Sequence, residues 1–281
     1  AQVPGPREQT LRTAKLMDRV LDDYYGGRDN GFLRRPQSWR SLRAGACRRA
    51  TEEARAGLYK LSEQQLREFA ERGYLGPFQS ESKEWRRLHI PEGERVNLHL
   101  QDPQIFALCS QPAVVVRVAQ LLGNQGVSLM KSRVWVKAKS STTLVPWHQD
   151  VALNNGGLRE DGSPVPTVTV WLSIDGANRE KGAVELLPGS HRQLIGDWKM
   201  GLQAWLEDNG VLREEHLNDS VRLDAKPGEF YLFHSWVLHG SGPNSSNSKR
   251  TGLNMRFAAR GDEYEPQFEY IPLGGGTVTC D

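Results

Sequence analysis

Val145-Pro146-Trp147-His148-Gln149-Asp150 is the stretch on which the reading of this chain turns. The run is strand-like, and two side chains two apart on an extended segment point to the same face, so His148 and Asp150 share one. An imidazole and a carboxylate on one face are two-thirds of a 2-His-1-carboxylate facial triad, the ligand set that leaves positions open on Fe(II). The third ligand has to come from elsewhere in the chain.

It is found in Leu238-His239-Gly240-Ser241-Gly242-Pro243-Asn244, with Arg250 following. Phe230 to Leu238 is mostly aromatic or aliphatic and lies between the Pro227-Gly228 turn and a Gly/Pro/Asn/Ser loop, which predicts one strand with turns at both ends. His239 then stands at a strand mouth, and Arg250, eleven positions on, opens the next strand, Thr251 to Ala258. His234 is the rival ligand. Five residues separate it from His239, an odd spacing that puts the two on opposite faces of a shared strand, so one of them serves the site; the Gly-Ser-Gly after His239 favours the latter.

With these motifs the chain resembles the phytanoyl-CoA dioxygenase family of Fe(II)/2-oxoglutarate oxygenases. Leu187-Pro188-Gly189-Ser190-His191 and an opening helix over Leu61 to Tyr74 extend the likeness to roughly residues 60 to 260. The resemblance implies that His148, Asp150 and His239 hold iron and are the catalytic set. It implies that Arg250 and Ser241 bind the far carboxylate of 2-oxoglutarate, with O2 as the second co-substrate. It also implies that the strand feeding the His-x-Asp lines the pocket, which sets Lys131 and Arg133 inside as further anion-binding cations. Asp150 separates the chain from related halogenases, in which a small residue replaces the carboxylate.

Composition fits one large catalytic domain. The chain has 281 residues, 38% of them hydrophobic, and a net charge of +2. It can bury a sizeable core, and nothing global points to nucleic acid or an anionic membrane as partner. The nearest approach to a membrane span, Ala113 to Leu122, is short and interrupted by Arg117 and Gln120. Cys47, Cys109 and Cys280 are too few and too widely spaced for a disulfide framework or a zinc pattern, so a reducing, cytoplasmic setting is expected. Ala1 in place of Met indicates processing or trimming, by which a targeting segment could have been removed, and Thr279-Cys280-Asp281 is not a Ser-Lys-Leu-type peroxisomal address.

Residues 1–60 carry 13 Lys/Arg against 7 Asp/Glu. Acidic residues interleave with the basic ones, so solvated helices packed on the core are expected here rather than a nucleic-acid arm. Leu11, Leu16, Met17, Val20 and Leu21 recur at helical spacing, with Gly26-Gly27 as the stop. Residues 61–281 form the expected oxygenase domain. Ser62 and Gln65 make a capping box with Gly73 as its stop; Asp102-Pro103 and Gln111-Pro112 start two more helices. From Val127 to Lys139, Met130, Val134, Val136 and Ala138 alternate with Lys131, Arg133, Trp135 and Lys137. Pro166 to Ile174 alternates too, with Thr167, Thr169, Trp171 and Ser173 on a mixed face suited to a pocket wall. Many short strands with Gly/Pro/Asn turns and no βαβ rhythm predict a mainly β fold with flanking helices, a cupin-like double-stranded β-helix (jelly roll).

The expected activity is hydroxylation of an unactivated C–H bond of a small, anionic metabolite or natural-product intermediate by a monomer or homodimer, with succinate and CO2 released. Asn154, Asn155, Trp171 and Arg256 are the expected substrate contacts. Two other readings remain open from the residues: a zinc hydrolase on the same His/Asp/His set, and a non-catalytic jelly-roll binding protein.

Overall fold

A computed structural model of the chain describes residues 57–90, 93–123, 126–150, 165–192, 218–262 and 269–273. The extension expected over residues 1–60 falls almost wholly outside the described residues, as do Asn154 and Asn155.

Three helices form where the capping signals lie. Helix α1 is Glu63–Arg72, with the full capping box between Ser62 and Gln65, and it ends on Gly73 in the left-handed conformation. Asp102 accepts hydrogen bonds from the backbone of Gln104 and Ile105 to start α2 (Pro103–Ser110). A second proline at the first helical position starts α3 (Pro112–Leu121). Among the described residues no single helix is long and apolar enough to cross a membrane. The bent pair α2 and α3 is apolar because Ile105, Leu108, Val114 and Val118 are fully buried in the core.

The strands are β1 (Tyr74–Gln79), β2 (Gly93–Val96), β3 (Val127–Lys137), β4 (Val145–His148), β5 (Thr167–Ser173), β6 (Val184–Leu186), β7 (Val221–Arg222), β8 (Glu229–His234), β9 (His239–Ser241), β10 (Arg250–Ala259) and β11 (Ile271–Leu273). They make a seven-stranded sheet in the order β1-β8-β5-β10-β3-β11, with β2 also on β3, and a four-stranded sheet in the order β4-β9-β6-β7. The pairings are antiparallel. From β3 to β10 the chain passes back and forth between the two sheets, which is the winding of a double-stranded β-helix. The expected fold class holds.

One difference from the sequence reading has a simple cause. Phe230 to Leu238 is not one strand: β8 ends at His234 in the large sheet, and Ser235 to Leu238 turn the chain across to β9 in the small one. His234 and His239 therefore lie in separate strands, and the odd-spacing argument does not apply to them. An unbroken apolar run does not show where a strand changes sheets.

Alternation along the strands sorts the core into two layers. Val134, Val136, Val170, Leu172, Leu253 and Phe257 face outward from the large sheet and meet Phe69, Ile105 and Val114 of the helices. On the other face Trp171, Phe233 and Tyr74 pack against Val184, Leu186 and Val237 between the sheets. The strand ladder also aligns polar positions on that inner face: Lys137 pairs with Arg250, Trp135 with Gly252, Arg133 with Asn254, and Lys131 with Arg256. Alternate ladder positions share a face, so these cations line the space between the sheets.

Candidate metal and anion site

His148 closes β4 and His239 opens β9, and the two are direct cross-strand partners with ring centroids 4.2 Å apart. Between Val145 and His148 the register slips, so β4 carries one residue more than the β9 segment opposite it. A bulge of this kind bends the strand and re-aims its last side chains; here it falls at Pro146-Trp147, immediately before the histidine. Asp150 lies just past the strand end, and its backbone N–H donates to the Ser235 carbonyl at 2.8 Å. The potential ligand atoms of His148, Asp150 and His239 all lie within 4.8 Å of one another.

Each imidazole is oriented by its own backbone. His148 Nδ1 is 2.8 Å from the Pro146 carbonyl and His239 Nδ1 is 2.9 Å from the Val237 carbonyl. A carbonyl only accepts, so Nδ1 carries a proton in both rings and Nε2 is the nitrogen left to meet a metal, the arrangement that outer partners impose on metal-binding histidines. Burial, with His239 beside it, pushes His148 down to about 3, which keeps it neutral. Burial alone would raise the Asp150 pKa, but Arg256, His239, His148 and the Thr169 hydroxyl outweigh it and hold the carboxyl well below the usual range. Two imidazole nitrogens and an ionised carboxylate, convergent and mostly buried, fit a divalent transition metal.

The second feature is a buried cationic pair. Arg250 is almost fully buried at the start of β10; its Nη2 donates to the Gly182 carbonyl at 2.7 Å, and its guanidinium sits 5.5 Å from the centre of the Trp171 ring. No carboxylate among the described residues is within ion-pair distance of it. Burial pulls Arg250 down to about 10. Opposite it, the Lys137 ammonium donates to Ser241 Oγ at 2.7 Å, to the Ser241 carbonyl at 3.1 Å, and to the Gly242 carbonyl. Burial, and then the neighbouring Arg250, bring Lys137 down to about 7.

The expected site residues take different places. Arg250 and Ser241 come together on the inner face. Lys131 and Arg133 are half-buried on the same face, and the Arg133 charge acts on His148. Trp171 is buried beneath Arg250. Arg256 is paired with Asp150, its Nη2 2.5 Å from Oδ1. Thr169 lies on the face expected to form a pocket wall, whereas Lys137 and the Gly182 carbonyl are not among the site residues expected from sequence. For Lys137 the signal was present, since it closes the alternating row Lys131, Arg133, Trp135, Lys137; for a backbone carbonyl there is none. His191 sits in a short 3-10 turn with Nε2 3.2 Å from the Ala70 carbonyl, and His99 is buried against Ser132, so both are structural here.

Comparison with known proteins adds a family. The sequence profile of the family described as phytanoyl-CoA dioxygenase (PhyH) matches residues 28–252. A probable phytanoyl-CoA dioxygenase of Caenorhabditis elegans is 25% identical over 182 residues, covering 59% of this chain and 56% of that protein. L-proline trans-4-hydroxylase of Streptomyces griseoviridis is 30% identical over 176 residues, covering 57% of this chain and 64% of its own length. This chain thus matches less than two-thirds of either relative. Among solved structures, EctD from S. alaskensis with 2-oxoglutarate and 5-hydroxyectoine superimposes with a TM-score of 0.59 at 19% identity, over 73% of this chain and 78% of that one. At that identity the likeness is one of fold.

Proposed function

The chain belongs to the phytanoyl-CoA dioxygenase family, and from that membership and its inner-face chemistry we propose that it is an Fe(II)- and 2-oxoglutarate-dependent dioxygenase that hydroxylates a small anionic molecule. The observation that carries the reading is the pairing of two features on one surface: a His/Asp/His cluster within 4.8 Å, and a buried arginine that no described carboxylate neutralises. His148 Nε2, His239 Nε2 and one Asp150 oxygen hold the metal. When bound, iron and 2-oxoglutarate supply the oxidising power, with O2 consumed, succinate and CO2 released and a substrate C–H converted to C–OH.

Arg250 gives the co-substrate its anchor. A guanidinium buried without a charged partner costs several kcal/mol, and a carboxylate binding it by two parallel hydrogen bonds recovers much of that. Ser241 adds a third contact. Its oxygen accepts from Lys137, which leaves its own hydroxyl proton to be donated to an anion. Lys137 supplies a second positive charge two hydrogen bonds away, through that hydroxyl.

Lys131 and Arg133 continue the cationic row toward His148. Together with Arg250 and Lys137 they make this face cationic, which supports an anionic substrate. The activity is tested by succinate release from 2-oxoglutarate under air with added Fe(II), and by its stimulation across a panel of carboxylates, phosphonates and thioesters. Metal-dependent succinate formation stimulated by an anion is expected. A zinc hydrolase or a binding module would form no succinate under these conditions, and stimulation by neutral or cationic compounds alone would remove the substrate class.

A further inference from the structure

Asp150 is gripped from two sides by a cross-strand pair. Arg256 on β10 and Thr169 on β5 are direct partners in the large sheet. Arg256 Nη2 lies 2.5 Å from Asp150 Oδ1, and the Thr169 hydroxyl donates to Oδ2 at 2.6 Å. The Arg256 and Asp150 side chains are each only 9% exposed. On its other side β10 meets β3 through a register shift between Arg256 and Phe257, which leaves Met130 as the extra residue. A bulge next to a site is a device for aiming a side chain, and the side chain it adjoins here is the one on the carboxylate.

We propose that Arg256 is a positioning residue for the metal-binding carboxylate: with Thr169 it restricts Asp150 to one oxygen for the metal, and its charge lowers the site's affinity for metal while raising it for an anion bound there. The proposal rests on the reading that His148, Asp150 and His239 hold the metal. The charge at Arg256 gives the sign. Its guanidinium adds one positive charge against Asp150, so replacing it with a neutral side chain makes the metal site one unit more negative, whatever the surrounding groups contribute: better for a dication, worse for a dianionic co-substrate. An acceptor behind a metal-binding imidazole strengthens its donation, and losing it weakens metal binding. A cation in front of a carboxylate acts in the opposite direction.

The test uses the full chain with Mn(II) as the probe. Calorimetry without co-substrate reads the metal affinity of the parent, Arg256→Met and Arg256→Lys, and a second titration at saturating Mn(II) reads 2-oxoglutarate. Arg256→Met should bind Mn(II) about 10-fold more tightly and 2-oxoglutarate about 10-fold more weakly, the scale of a charge interaction a few ångströms away under water-like screening, with Arg256→Lys between. If Arg256→Met left both constants at the parent's values, or weakened both alike, the proposal would be overturned. Should that variant fail to fold, Thr169→Val removes only the Oδ2 donor. Its Co(II)-loaded form should then show a shifted visible absorption as the freed oxygen reaches the metal, and a spectrum identical to the parent's overturns the one-oxygen grip. The metal titration needs no co-substrate, so a parent that binds Mn(II) but not 2-oxoglutarate defeats the dioxygenase reading and leaves the role of Arg256 measurable; a parent that binds no metal defeats both.

Discussion

Arg250 is the residue whose environment says most about chemistry. Among the described residues, its one charged neighbour of opposite sign acts at a distance: Asp175 pulls its pKa up, but that carboxylate is engaged by the backbone N–H and hydroxyl of Thr251, at 2.7 and 2.8 Å. Arg250→Ala should therefore leave metal binding intact and weaken 2-oxoglutarate by about 10- to 100-fold, the 1.5–3 kcal/mol of a hydrogen bond to a charged group. Arg250→Lys should recover only part of this, because an ammonium lacks the planar fork; an unchanged half-saturation in a co-substrate titration of Arg250→Ala would move the anchor elsewhere. Lys137 gives the same site a pH dependence. Its pKa is lowered to about 7 by burial and by Arg250, so the ammonium is fully present below that pH and is lost as pH rises through it. Affinity for 2-oxoglutarate should accordingly fall between pH 6 and pH 8.5, and in Lys137→Met it should be low and flat across the range. A parent with a flat profile would show that Lys137 keeps one charge state throughout.

At the scale of elements, the site is made where strands change sheets. Sequence spacing exposed the ends of these elements well: the capping box at Ser62, the two proline starts, the alternation of β3 and β5, and the two histidine motifs all fall where the structure has them. Which strand partners which, and how the side chains are supported, was not legible, because those depend on contacts between residues far apart in the chain. The eleven-residue interval from His239 to Arg250 illustrates this. It spans the crossing from the small sheet to the large one, and buried Asn244 sets its path by donating to the carbonyls of Ala138 and Ser248 and accepting from Ser246. Gly252 is another such contact. A Cβ there would come within 2.5 Å of the Trp171 indole nitrogen and 3.2 Å of the Arg250 guanidinium. Gly252→Ala is thus predicted to push Trp171 out from beneath Arg250 and weaken 2-oxoglutarate by about 10-fold, roughly one hydrogen bond to a charged group, while Mn(II) affinity stays at the parent value. Parallel loss of both affinities would mean that the substitution disturbs the whole sheet. Arg256 shows the limit from the other direction: as one cation in a sequence row it reads as a substrate contact, and only the sheet register brings it to Asp150.

For the whole molecule, the core of the described residues is expected to stand without the metal. The helix-facing layer and the layer between the sheets are built from buried aliphatic and aromatic side chains, whereas the ligands contribute three side chains at one end of the small sheet. Chelation should leave the β-sheet circular dichroism unchanged and lower Tm by about 5–11 °C, the amount mass action allows: a ligand at 100 times its Kd stabilises by about 2.7 kcal/mol, and a kilocalorie moves Tm by about 2–4 °C in a domain of this size. Loss of the folded signal on chelation would make the metal structural. The central claim, that one inner surface binds a metal and a 2-oxo acid together, is tested most directly by anaerobic titration of the full chain with Fe(II) and 2-oxoglutarate, watching the visible spectrum. A 2-oxo acid chelating Fe(II) at a facial site gives a weak metal-to-ligand charge-transfer band. The band should appear in the parent, vanish in Asp150→Ala with the loss of bound iron, and need far more 2-oxoglutarate in Arg250→Ala; iron bound by the parent with no band at saturating 2-oxoglutarate would contradict the account.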